Sequence, residues 1–184
     1  MILDAAKPLL SSRPLAYVVI SLAAIVFALF LGKDIHWDQL NYHYYLGFSV
    51  LHDRLAQDFM PASIQSYFVP YAYVPFAWMV ERQVSDQTIV AVLAFLGSIS
   101  IWATWELGGR LCAPAVETGP LPFNGVGAWL SAATAAATPI VLSQIGSSFI
   151  DLTAAAPVLW GYVVAPAKLQ KPICRKASRA LAQP

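Results

Sequence analysis

Between Leu15 and Gly32 the chain reads LAYVVISLAAIVFALFLG, with no charged residue. As a helix rising about 1.5 Å per residue, this run covers roughly 27 Å and just crosses the hydrocarbon core of a bilayer. A cleaved signal peptide is the competing reading, because Lys7 and Arg13 precede the apolar stretch. Phe30-Leu31-Gly32 offers no small-x-small cleavage site, however, which favours a retained transmembrane helix. Composition points the same way: 58% of residues are hydrophobic and 11% charged, where soluble domains carry about 25% charged residues.

Three further apolar segments follow. Gln87 to Gly108 holds one acid, Glu106, near its end; Gly125 to Leu142 is uncharged and rich in Ala, Ser and Thr; Asp151 to Ala167 is apolar after its first residue. The AATAAAT run in the third segment reads as close helix packing through small residues. Ile64 to Val80 also lacks charge, but Pro70 and Pro75 interrupt it, and Tyr67, Tyr71 and Tyr73 crowd one half. That pattern suits an interfacial element better than a spanning one.

The distribution of basic residues decides the count. If Ile64 to Val80 does not span, Lys7, Arg13, Arg110, Lys168, Lys171, Arg175, Lys176 and Arg179 all lie on the cytoplasmic side, leaving Lys33, Arg54 and Arg82 outside. If it does span, the bias inverts. The sequence therefore predicts an all-α integral membrane protein with four transmembrane helices, at about 15–32, 87–108, 125–142 and 151–167. Both termini are cytoplasmic, residues 33–86 form a long external loop containing two juxtamembrane interfacial helices, and residues 168–184 form a basic cytoplasmic tail. A second, short external loop falls near residues 143–150. Cys112 and Cys174 both fall on the cytoplasmic side, where no disulfide is expected.

The long loop is acidic, with Asp34, Asp38, Asp53, Asp58, Glu81 and Asp86 against three basic residues. Polybasic lipid binding is excluded there. It also carries Tyr42, Tyr44, Tyr45, Tyr67, Tyr71 and Tyr73 with Trp37 and Trp78, as expected of elements lying in the headgroup layer. Leu40, Tyr44, Phe48, Leu51 and Leu55 recur at helical spacing, so one face of this helix meets lipid or neighbouring helices. Asp38 stands just before that stripe, where a carboxylate can cap the first free N–H groups of a helix and meet the positive end of its dipole.

The stretch DQLNYHYYLGFSVLHDRLAQDFMP, followed by QSYFVPYAYVPFAW, resembles the first external loop of the GT-C superfamily of polyprenyl-phosphate-dependent glycosyltransferases, such as protein O-mannosyltransferases and the lipid A aminoarabinose transferase. The likeness lies in order: one transmembrane helix, an acidic residue (Asp38), an aromatic four positions on (Tyr42), an amphipathic helix, then a juxtamembrane helix with Tyr and Pro. GSSFIDLTAAAPVLWGY adds Asp151 at the opening of the last span, on the same external side. Where many relatives have a second acid beside the first, this chain has Gln39.

The resemblance implies transfer of a sugar from a polyprenyl-phosphate donor to an acceptor hydroxyl at the external face. Such chemistry needs a base near the acceptor oxygen and an electrostatic partner for the departing phosphate. Asp38 is the candidate base and Asp151 the second catalytic carboxylate; Asn41, Tyr42, His43 and Tyr67 are candidate substrate-binding residues. Lys33, Arg54 and Arg82 are the only external cations available to a phosphate, and none sits in a recognisable phosphate motif. His36, His43 and His52 form no HxH or HExxH pattern, so no metal is expected.

No cofactor is expected, and the partners implied are the polyprenyl-phosphate-linked sugar and the lipid bilayer, with no nucleic acid. Full enzymes of the superfamily carry more than twice four spans. The chain is therefore expected to be an amino-terminal portion, a truncated GT-C module, or a half that needs a second membrane chain. The competing reading is a non-catalytic membrane subunit or inactive remnant, in which Asp38 and Asp151 are only helix caps. A transporter fits poorly, because the acidic residues fall at span ends and not at mid-bilayer.

Overall fold

A computed structural model describes residues 10–32, 34–113 and 123–165. These residues are predominantly helical, with one short extended segment at Pro61–Ile64. The basic tail at 168–184, with Cys174, lies outside the described residues, as does Lys33.

Helix α1, Arg13–Leu31, opens on Pro14, whose missing N–H costs nothing in the first turn. It closes at Gly32, where φ is 87° and the amide donates to the Ala28 carbonyl at 3.1 Å. Helix α1 has two unlike apolar faces. Ala16, Ile20, Ala24 and Ala28, four apart, are buried, and mostly small residues let the neighbouring helix approach closely. The opposite face presents Val18, Leu22, Val26 and Phe30, the last 85% exposed.

The first loop then forms a five-residue π turn, Gln39–His43, in which the Tyr44 amide reaches back five residues to the Gln39 carbonyl. It runs on into α2, Tyr44–Leu51. The inserted residue shifts the helix phase. His43, Leu46 and Gly47 face inward, while Leu40, Leu51 and Leu55 of the expected stripe are exposed and the helix stops at Leu51. The stripe is thus largely the outward face, apart from Tyr44, which packs beside Phe76, Met79 and Ile89, and Phe48, which is half-buried against Tyr44 and His52. Helix α3, Val74–Glu81, packs against α2, so two short helices lie between Gly32 and Ser85.

Helix α4, Asp86–Leu111, is capped by Ser85, whose Oγ accepts from the Thr88 amide at 3.3 Å. It is the axis of the molecule. Helix α1, helix α5 at Gly125–Ala136 and helix α7 at Asp151–Val164 all pack against it. The third apolar segment is broken in two: Thr138 adopts extended geometry before Pro139, which starts the separate helix α6, Pro139–Gln144. Helices α1 and α4 are long and apolar enough to cross a membrane, whereas α5 and α7 are shorter.

Polar contacts tie the bundle together. Ser21 of α1 meets Ser98 of α4 at 3.0 Å. At the end of the helices that bears Arg13, the buried Glu106 carboxylate accepts from Arg13, from the Tyr17 hydroxyl at 2.9 Å and from Arg110 at 3.5 Å. Arg110 also donates to the Val163 carbonyl, linking α4 to α7. A carboxylate with three donors on it carries its burial without strain on the fold.

Candidate functional site

At the other end of the helices, the segment after α1 meets the turn before α7. Gly146 makes the meeting close: its φ is 79°, and a β-carbon on it would stand 2.5 Å from the Ala28 Cβ. The backbone can therefore approach α1 only with glycine in that position. Next along, the Ser148 amide donates to Asp34 Oδ2 at 3.0 Å, and the Ser148 hydroxyl donates to the same oxygen at 3.2 Å. Asp34 Oδ1 accepts from the His36 amide at 3.0 Å. With its amide nitrogen turned toward Asp34, Gln39 donates to Oδ2 at 2.6 Å and to the Asp34 carbonyl at 3.1 Å.

His43 completes the chain. Its Nδ1 lies 2.7 Å from Ser148 Oγ. Because the Ser148 proton is committed to the Asp34 carboxylate, the stronger acceptor, Nδ1 carries the proton and donates to Oγ. Nε2 is then the unprotonated nitrogen, buried and with no hydrogen-bond partner among the described residues. The imidazole is 0% exposed. It stacks on Tyr73 at 4.8 Å and meets the edges of Tyr42 at 4.5 Å and Phe149 at 4.9 Å.

Asp38, four residues before Tyr42, and Asp151, two residues after Phe149, come from two different segments, and both are near enough to these rings to act on them electrostatically. Both carboxylates act on the same three rings. Burial, reinforced by Asp38 and then Asp151, raises the Tyr42 phenol. Burial raises Tyr73 to about 12, with Tyr42, Asp151 and Asp38 adding to it. Burial lowers the His43 imidazole, against the opposite pull of Asp38, Asp34 and Asp151 and with a small push from His36. The rings thus keep a neutral imidazole and protonated phenols between two carboxylates.

Asp38 is half-buried, has helical backbone angles and makes no side-chain cap bond. Asp151 is exposed in the first turn of α7, where Ile150 holds the cap position, and accepts from Gln144 Nε2 at 2.8 Å. Neither carboxylate is engaged as a helix cap. Asn41 lies half-buried in the π turn with Tyr42 and His43. Tyr67 stands apart: it is exposed and interacts with Tyr45, whose hydroxyl donates to Asp58 at 3.3 Å. Arg54 and Arg82 are also engaged elsewhere, Arg54 on Asp58 at 2.5 Å and Arg82 over the Trp78 ring at 5.6 Å.

Asp34, Tyr73, Ser148 and Phe149 join the site without having been singled out in the sequence. Asp34 lies only four residues before Asp38, and Ser148 three before Asp151. For Asp34, Ser148 and Phe149 nearness to the two acids was the available signal, and for Tyr73 its place in the tyrosine- and proline-rich segment. Among the described residues no group of His, Cys, Asp and Glu is arranged to hold a metal ion. Compared with models of known protein families, with curated proteins and with solved structures, the chain matches none.

Proposed function

We propose that the chain is the site-bearing portion of a membrane glycosyltransferase, moving a sugar from a polyprenyl-phosphate donor to an acceptor hydroxyl at the external face. The observation that carries this reading is the convergence of Asp38 and Asp151, far apart in sequence, on Tyr42, His43 and Tyr73. In the reaction the acceptor oxygen attacks the anomeric carbon, its proton passes to Asp38, a glycosidic bond forms and the bond to the lipid phosphate breaks. The neutral rings offer donors and stacking faces to a sugar, and Asp151 supplies electrostatic stabilisation to the developing positive charge on the sugar ring.

The proposed setting is a four-span protein with both termini cytoplasmic. Its support is the basic-residue bias together with the outward faces of Val18, Leu22, Val26 and Phe30, which form a large apolar stripe of the kind lipid covers. A transfer assay with a polyprenyl-phosphate sugar, comparing the wild type with Asp38→Asn in isolated membranes, tests the function.

One observation favours a second reading. Arg54 is paired with Asp58 and Arg82 lies over the Trp78 ring, so neither arginine is held at Asp38 to meet a departing phosphate, and Lys33 lies outside the described residues. A second membrane chain that brings a cation to the site would complete the enzyme. If neither such a chain nor Lys33 supplies that charge, the chain is a non-catalytic subunit or inactive remnant.

A further inference from the structure

We infer that Asp34, Ser148 and His43 form a proton-sensitive latch: with His43 neutral it pins the segment carrying Asp151 against the segment carrying Asp38, and protonation of His43 releases it. The inference rests on the proposed function only in naming Asp38 and Asp151 as the pair being held. The latch itself is a property of the fold.

Three observations carry it. First, the relay joins two stretches that are more than a hundred residues apart, through His43 Nδ1 to Ser148 Oγ at 2.7 Å and Ser148 Oγ and amide to Asp34 Oδ2 at 3.2 and 3.0 Å. Few other polar contacts bridge them, since the remaining bonds of 146–151 run to Gln144, Ser147 and Ile150, within the same stretch. Second, Nε2 is buried with no hydrogen-bond partner among the described residues, on an imidazole packed against Tyr73, Tyr42 and Phe149. A proton added there in the closed arrangement has nothing to donate to, while in the opened arrangement it reaches water. Third, the groups facing His43 are known from each element packed on it: Asp34, Asp38 and His36 from the first loop, Asp151 from the start of α7, and the phenols of Tyr42 and Tyr73. The carboxylates favour the charged ring and burial opposes it, with burial the larger effect.

The sign follows. A histidine held below its ordinary value contributes stability that is complete above about pH 6.5 and is lost as the pH falls through the range between the unfolded and folded values. The opening constant rises by at most about tenfold per pH unit within that range.

Hydrogen–deuterium exchange of the segment 145–151 in the full chain, corrected for the intrinsic rate at each pH, reads the latch without any donor or acceptor substrate. Protection in the wild type is expected to fall several-fold between pH 7.5 and 5.5, while α4 stays protected. His43→Asn, which retains a donor for Ser148 but cannot take up a proton, is expected to keep the pH 7.5 protection at both values. Unchanged wild-type protection, or the same fall in His43→Asn, overturns the latch. The wild-type comparison stands even if the variant fails to fold. Because no sugar transfer is measured, an inactive chain with a pH-sensitive segment refutes only the proposed enzyme, and an active chain with an insensitive one refutes only the latch.

Discussion

Gly47 of α2 packs against Ala77 of α3 with no room for a side chain: a β-carbon built on Gly47 would stand 2.6 Å from the Ala77 Cβ and 2.8 Å from the Tyr73 carbonyl carbon. Tyr73 is the ring on which His43 stacks, so this contact sets the floor of the site. Gly47→Ala is expected to push the two helices apart and cost about 1–3 kcal/mol, as overpacking does in a close-packed interior. A lowered unfolding midpoint, followed by tryptophan fluorescence of the purified chain, checks it.

Asp38→Asn is expected to reduce transfer by roughly 10²-fold or more, the usual contribution of a general base. The amount of folded protein is expected to stay constant, because Asp38 makes no side-chain cap bond that the change could break. Asp151→Asn is expected to lose less, since its role is electrostatic support. Wild-type rates in Asp38→Asn would eliminate Asp38 as the base.

Glu106 holds the opposite end of the bundle. Removing its charge leaves Arg13 and Arg110 without their shared carboxylate, although Arg13 is half-exposed and water screens part of the loss. Glu106→Gln still accepts from Tyr17, so it is expected to cost about 1–2 kcal/mol, and Glu106→Ala more. The order of thermal midpoints, wild type above Gln above Ala, is the readout; equal midpoints for all three would show that the cluster contributes nothing.

Topology has its own test. In a protein with Cys174 replaced by Ser, a membrane-impermeant maleimide applied to intact cells is expected to label Ala56→Cys. The native, exposed Cys112 is expected to react only after permeabilisation. The reverse pattern would contradict the orientation derived from the basic residues.

Only local structure was legible along the chain. Helices α1 and α4 were legible because apolarity summed over consecutive residues is enough to specify a long apolar helix, and spacing marked a helix after Asp38, though not which of its faces is buried. The break at Pro139 was written in the sequence too, but an uncharged window from Gly125 to Leu142 averages over it. Tertiary structure alone decided that His43 is buried and Leu40 exposed, because the π turn at Gln39–His43 adds a residue to the repeat and rotates the face that spacing assigns. It also decided that Ser148 meets Asp34 and that Asp38 and Asp151 share one group of rings. Those pairings depend on how α1 and α7 pack around α4 and on a glycine at 146 that fits against Ala28. No periodicity encodes them, since the residues concerned lie in loops and meet only once distant helices have fixed where each loop begins.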